Sequence, residues 1–249
     1  MSEPSIEFIR ANWSAPPGVK ALCTTRIGGS SQNPYQSFNL AAHVGDDDKC
    51  VQRNRELLCQ SLDLPAEPCW LKQTHSTRTV NLDDESNRSA DAAITQKADT
   101  IAVVMTADCL PILLCSRSGS EVAAIHAGWR GLADGIIEAT VVDMESPASE
   151  LIAWIGPAIS QQCFEVGDDV RDIFITKNQN AGSHFVANRP AHWLCDLPAL
   201  AVDVLSRLGV VEINRSEYCS FNDESLFFSY RRNATTGRMA SLIWIDSNT

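Results

Sequence analysis

Three residues have the types and positions to do chemistry together: His75, Cys109 and His126. His75 lies in Gln73-Thr74-His75-Ser76. Cys109 follows Thr106-Ala107-Asp108, just past the apolar run TIAVVM. His126 ends a second apolar run, VAAIH, and leads into Ala127-Gly128-Trp129-Arg130-Gly131. A polar residue at the end of a buried strand is held rigidly at a crevice, which is where sites are built. Two imidazoles and a thiolate suit Zn²⁺ with a fourth position open to water, and such an ion lowers the pKa of its water towards ~7. The three residues stand 34 and 17 positions apart, which is not a local zinc-finger spacing. Spacing alone therefore leaves two other readings open. Cys109 can be a nucleophile with His126 as its base, or the three can be an inert buried thiol and two structural histidines.

Arginines supply the second kind of chemistry. The basic residues are 15 Arg against 5 Lys, and Arg suits bidentate recognition of anions. Arg130 sits beside His126 at a Gly-flanked strand-to-helix turn, where free N–H groups and the helix dipole also favour an anion. Arg26, in the Gly-rich TTRIGG turn, and Arg231-Arg232, after LFFSY, are further anion contacts. Gln73 is placed with Arg26, Arg130 and Arg231 as a substrate contact. Asp108 is the neighbouring carboxylate for acid/base work; adjacent side chains in extended backbone point oppositely, so it is equally a turn or supporting residue. Trp129 can stack a purine or pack on the sheet. His43 reads as a loop residue near the site, His184 and His192 as exposed, Cys115 as core, and Cys163 and Glu165 as structural residues bordering a pocket.

These groups need a scaffold. Strands are expected at Val19 to Thr24, Thr100 to Met105, Pro111 to Cys115, Val122 to His126 and Leu151 to Ile155, with Leu226 to Tyr230 and Met239 to Ile245 as a final pair. Asp196 and Pro198 open a helix whose apolar residues repeat through Leu208, and Gly209 stops it. A second helix spans Asp47 to Leu62. A third starts near Gly131 with Leu132, Ile136, Ala139 and Val142 inward. The polar run Asp83 to Asp91 reads as an exposed loop. Hairpins mixed with helices, without strict βαβ alternation, predict an α+β or mixed α/β class.

The 249 residues are 44% apolar and 20% charged, enough for a sizeable core and read as a single domain over 1–249. No run approaches the ~18 apolar residues of a membrane span. The first residues, MSEPSIEFIRANW, lack the basic-then-apolar order of a secretory signal. A net charge of −11 is the opposite of what nucleic acid or an anionic membrane selects. Nine cysteines without a C-x-x-C pair read as reduced thiols, and the expected location is the cytoplasm.

The motifs TTRIGGSS, FNLAAHVGDD, VQRNR, QTHS, ADTIAVVMTADCLPILL, AAIHAGWRGL, IGPAISQQCFEVG and YRR followed by TGRMASLIWI run through nearly the whole chain. Together they resemble the YfiH-type family, also called the laccase-domain or polyphenol oxidase family, whose members are described as purine nucleoside phosphorylases. The resemblance implies a layered α/β/β/α sandwich related to the deamidase domain of cytotoxic necrotizing factor toxins. It implies zinc held by His75, Cys109 and His126. It implies phosphorolysis of adenosine, inosine and methylthioadenosine, adenosine deamination, and for some members editing of cell-wall precursors. The partners are then a small nucleoside and phosphate. This chain departs from the family pattern after the GGxS turn, where the expected Gly is missing. The H-x-E with P-C-x-x-C signature of zinc deaminases is absent. A multi-copper oxidase needs a blue-copper site plus a further cluster, and five His do not supply both, so copper is expected only as a substitute in the zinc trio. The alternative from another reaction class is a Cys-His amide hydrolase acting on cell-wall precursors; a non-catalytic binding protein would leave the trio idle.

Overall fold

The computed structural model describes residues 6–248; part of the leader reading falls on residues 1–5, outside this range. Along the chain the strands are β1 (Phe8–Arg10), β2 (Val19–Thr24), β3 (Thr79–Asn81), β4 (Ala92–Thr95), β5 (Ala102–Thr106), β6 (Leu110–Ser116), β7 (Val122–Ala127), β8 (Leu151–Ile155), β9 (Glu165–Gly167), β10 (Phe185–Arg189), β11 (His192–Cys195), β12 (Glu212–Arg215) and β13 (Met239–Ile245). The helices are α1 (Asp48–Ser61), α2 (Trp129–Asp134), α3 (Ile136–Asp143), α4 (Asp168–Lys177) and α5 (Leu197–Leu208).

Two sheets stack face to face. One has the order β1-β2-β13-β5, the other β12-β8-β6-β7-β4-β3, and a small third sheet runs β10-β11-β9. Period-two patterning decides which side chain enters which layer. On β13, Met239 and Ile243 face the second sheet, while Ala240, Leu242 and Trp244 pack with Leu58 of α1. On β6, Leu113 and Cys115 enter the space between the sheets, and Ile112 and Leu114 meet Leu132, Ile136, Leu200 and Leu205 of the outer helices. The layers are therefore helix, sheet, sheet, helices, the α/β/β/α arrangement implied by the resemblance. Strands buried on both faces have continuous apolar sequences, which is why these runs were legible.

Both edges of β13 are occupied, by β2 and β5. No edge is left for Leu226 to Tyr230, and that expected strand is instead a run of turns in which Leu226 N and Phe227 N both donate to Asp223 O. Phe227 and Phe228 are fully buried from those turns, so their aromatic content mimics a strand. The expected third helix is two. Gly135, at φ 101°, ends α2 and starts α3. This break rotates the inward face of α3 to Ile136, Ile137, Thr140 and Val141 and leaves Val142 exposed. The α5 caps are as read: Asp196 accepts from Ala199 N, and Gly209 is left-handed; at α1, Asp47 accepts from Lys49 N and Cys50 N.

Candidate metal centre and pocket

The chain crosses between the sheets once at the critical place. β5 belongs to the first sheet and β6 to the second, so Ala107, Asp108 and Cys109 bridge the two layers at one end of the sandwich. β6 and β7 form an antiparallel hairpin in which Pro111 faces His126 across the ladder. Cys109 and His126 therefore emerge side by side. His75 arrives from a loop, with a left-handed φ of 61° that costs a non-glycine residue energy and must be imposed by its surroundings.

Asp91 imposes it. This carboxylate is fully buried and accepts from the backbone N–H groups of Thr74 (3.1 Å), His75 (3.0 Å) and Ser76 (2.6 Å) and from the Ser76 hydroxyl (2.7 Å). It also accepts from His126 Nδ1 at 2.8 Å. A carboxylate of this kind only accepts, so Nδ1 carries a proton and Nε2 is the nitrogen that faces the pocket. One side chain thus orients two of the three candidate ligands, the usual duty of a carboxylate behind a metal-binding histidine. Asp91 closes the polar run that reads as an exposed loop in sequence. Its position immediately before the apolar strand β4 was the available signal, the same one that marks His126 and Cys109.

The ligand atoms of His75, Cys109 and His126 all lie within 4.8 Å of one another. Cys109 Sγ is 3.9 Å from His75 Nε2, and the imidazoles meet edge to face at 4.7 Å between centroids. A Cβ on Gly128 would stand 2.7 Å from the His75 ring and 3.1 Å from Cys109 Sγ, so only glycine leaves the cradle open. Burial pushes the Cys109 thiol up, but the His126 and His75 imidazoles outweigh it and hold the thiol down at about 6. Burial pushes the His126 imidazole down, but Asp91 and Cys109 raise it to about 9. Burial opposes the ionised Asp91, and the His126, Ser76 and Thr74 hydrogen bonds prevail, placing its carboxyl far below the usual range. A soft thiolate and two neutral-capable imidazoles on one small cradle fit a borderline-soft divalent ion.

The trio opens into a pocket of about 530 Å³, within the ~300–1,000 Å³ of small-molecule sites. Arg130, Arg231, Arg238, Trp129 and His43 line it with the trio. Arg130 is exposed and lies over the Trp129 ring at 4.2 Å. Arg231 is exposed, with Nη1 on the Glu165 carbonyl at 2.9 Å. Gln73 also lines the pocket, yet its amide is engaged with the open edge of β5: Nε2 donates to Met105 O and Oε1 accepts from Met105 N, both at 2.8 Å.

Two expected site residues are placed differently. Arg26 does not line the pocket; its Nε and Nη2 donate to Gln36 O and its Nη1 to Glu224 O, so the guanidinium ties two loops together. Asp108 does line it, but Oδ1 accepts from the Ser220 hydroxyl at 2.7 Å and Oδ2 from Arg231 N at 2.6 Å. His184 is half-buried and bonded to Asp203 at 2.6 Å rather than exposed, and His192, also half-buried, meets Pro190 O at 3.0 Å. Cys115 is fully buried, as read. Glu165 pairs with Arg189, and Cys163 Sγ donates to Asn222 Oδ1 at 3.2 Å. Sequence reasoning missed Arg238 as a site residue, although it stands at the start of β13.

A crossover that delivers a thiol and an imidazole to one sheet end, facing a histidine loop and a cationic pocket, defines a small-molecule site with a metal-capable centre. The chain belongs to the YfiH-type family: residues 20–246 match the family model described as "Multi-copper polyphenol oxidoreductase laccase". It is 45% identical over 244 residues to the "Purine nucleoside phosphorylase" of Haemophilus influenzae, covering 97% of this chain and all of that protein. It is 43% identical over 241 residues to "Purine nucleoside phosphorylase YfiH" of Escherichia coli K12, covering 96% and 99%. Among solved structures, Neisseria meningitidis protein NMB0706 matches with a TM-score of 0.92 at 47% identity, covering 96% of this chain and 99% of that one. YlmD from Geobacillus stearothermophilus matches at 0.87 and 30% identity, covering 98% and 100%.

Proposed function

We propose that this protein is a zinc-dependent purine nucleoside phosphorylase acting on adenosine, inosine and methylthioadenosine, with adenosine deamination as a second activity. The carrying observation is the His75–Cys109–His126 cradle at the wall of a nucleoside-sized pocket rimmed by guanidinium groups. The names of the relatives support the same reaction class. In phosphorolysis a phosphate oxygen bonds to the ribose C1′, the glycosidic C–N bond breaks, and its electron pair leaves with the purine, which takes up a proton.

His75, Cys109 and His126 would hold the ion, and when bound it supplies Lewis acidity at this wall. The remaining work belongs to the chain. Exposed Arg130 and Arg231 draw phosphate towards the mouth. Trp129 offers an aromatic face for a base. Asp91 holds His75 and His126 in the required orientation. Asp108 is a positioning residue, because both oxygens already fix Ser220 and the Arg231 backbone. Among the described residues one group of three His, Cys, Asp or Glu donors stands together, which favours a single-ion centre over a copper cluster.

One observation favours the second reading, a Cys-His amide hydrolase: the thiol held at about 6 beside an imidazole raised to about 9 describes a thiolate–imidazolium pair. The two readings separate in one assay. Phosphate-dependent release of ribose 1-phosphate from inosine, lost in folded Cys109→Ala, is expected of the phosphorylase. Release of inosine's base without phosphate, or none at all, contradicts it.

A further inference from the structure

Arg238 differs from the other arginines that line the pocket. It is half-buried, whereas Arg130 and Arg231 are exposed. Its Nη1 donates to the Thr236 and Gly237 carbonyls, both at 2.9 Å, while Nε and Nη2 have no acceptor among the described residues. Its main-chain path is fixed. A Cβ on Gly237 would collide with the Phe228 ring at 2.7 Å and with Asn39 at 2.9 Å, and Arg238 N donates to Asn39 Oδ1 at 3.0 Å. A partly desolvated guanidinium that feels the charges of Asp108 and Cys109 but bonds to neither keeps Nε and Nη2 available to an anion.

The same Asn39 holds a second polar group over the pocket. Its Oδ1 also accepts from Ala41 N at 3.1 Å, and its Nδ2 donates to Ala41 O at 3.1 Å and to Asp46 at 2.9 Å. Arg55 donates twice to Leu40 O, at 3.0 and 2.9 Å, and the Tyr35 hydroxyl donates to Val44 O at 2.7 Å. These bonds pin both sides of an exposed tip, Ala42–His43, and His43 lines the pocket with Arg238. A loop fixed this heavily at its flanks delivers its tip side chain to a set place. Asn39 therefore couples the two: one amide oxygen receives the backbone of both segments.

We infer that Arg238 and His43, set by Asn39, form the seat for a tetrahedral phosphate oxyanion in this pocket. Arg238 Nε and Nη2 present parallel donors to two phosphate oxygens, and the His43 imidazole can donate to or accept from a third, protonated one. Exposed Arg130 and Arg231 are already solvated and gain less from an anion, so they gather the ion and Arg238 holds it. The assignment rests on the proposed phosphorylase reading for its purpose, though phosphate binding can be measured without turnover.

The test is calorimetric titration of the purified protein with inorganic phosphate, and separately with adenosine 5′-monophosphate, for wild type, Arg238→Gln, Arg238→Lys, His43→Gln, Arg130→Gln and Arg231→Gln. Circular dichroism melting checks the fold of each. Arg238→Gln is expected to weaken phosphate binding by about 30-fold, from the strength of charge-assisted hydrogen bonds, with His43→Gln at about 5-fold and Arg130→Gln or Arg231→Gln within about 3-fold. Arg238→Lys, which keeps the charge but loses the fork, is expected between wild type and Arg238→Gln. Should Arg238→Gln not fold, Arg238→Lys carries the test: unaltered phosphate affinity there overturns the assignment. Binding of free phosphate points to the ion as ligand; binding of the nucleotide alone, with the same Arg238 dependence, points to a phosphoryl group carried on a nucleoside. Both uphold the oxyanion seat. Equal phosphate affinity in folded Arg238→Gln and wild type, or a larger loss in Arg130→Gln, overturns it. If phosphate binds through Arg238 while no nucleoside is cleaved, the phosphorylase reading falls and the seat stands.

Discussion

The β6–β7 hairpin has two ends made of similar materials and put to opposite uses. At the turn, Ser116 Oγ accepts from Ser120 N (3.0 Å) and Glu121 N (3.2 Å), and its hydroxyl meets Ser118 at 3.0 Å. The buried Glu121 carboxylate accepts from Glu145 N (2.9 Å) and Ser146 N (3.0 Å), closing the segment after α3. The polar side chains there bond to backbone N–H groups or to one another, and the end is a staple. At the other end a buried carboxylate, Asp91, also gathers backbone N–H groups, but it engages one imidazole nitrogen of His126 and leaves the other open beside Cys109. The difference teaches that a site here is a satisfied network with selected atoms withheld. Buried carboxylate alone does not mark function; what it leaves unpaired does.

Four measurements can break or sharpen that contrast. The largest effect is expected from Cys109→Ala and His126→Ala, each removing a proposed metal ligand: nucleoside cleavage should fall at least ~1,000-fold, as loss of transition-state stabilisation of several kcal/mol requires. Metal analysis of the same variants should show loss of the ion. Next comes Asp91→Asn, which removes charge from the carboxylate behind His126 while keeping its size. Metal affinity or activity should drop ~10–100-fold, typical of such partners. Retention of both would make Asp91 a loop staple like Glu121.

Glu121→Gln should do the reverse. Its expected signature is a stability loss of ~1–3 kcal/mol in denaturant titration, from weakened bonds between a buried carboxylate and two backbone N–H groups, with KM and kcat unchanged. A catalytic defect there would erase the distinction between the two ends. The smallest effect contrasts the Cys109 thiol with thiols buried in the core. Cys115 lies between the sheets, where burial pushes its thiol up to about 12; burial does the same to Cys23 and Cys195. In chelator-treated protein at neutral pH, iodoacetamide followed by peptide mass analysis should label Cys109 first and leave these three unmodified.

The sequence made the scaffold legible where layers impose patterns. β2, β8 and β13 have the predicted bounds, because alternating or continuous apolar residues are dictated by burial on one or both faces. Cys109 and His126 were legible for a related reason: Cys109 interrupts and His126 ends an apolar run, whereas His75 stands in the polar QTHS segment. Asp91 was hidden because it terminates a polar stretch, and polarity of the preceding loop masks a buried charge whose partners are distant in sequence. Arg26 and Arg238 show the limit of local reading. Both lie within two residues of a glycine, yet the carbonyls that take up Arg26, on Gln36 and Glu224, come from two separate segments of the chain. Which guanidinium faces the pocket depends on these long-range contacts, and spacing along the chain does not encode them. Phe227 and Phe228 mislead similarly, since aromatic residues buried from turns have a strand's composition without its pairing.

Metal content joined to turnover tests the proposed zinc centre most directly. Protein purified without added metal would be subjected to elemental analysis and assayed with adenosine or inosine plus phosphate, before and after chelation. About one zinc per chain is expected, bound through His75, Cys109 and His126, with phosphate-dependent release of purine base that chelation abolishes and zinc restores. A metal-free protein whose nucleoside cleavage is absent or indifferent to chelator contradicts the proposed centre.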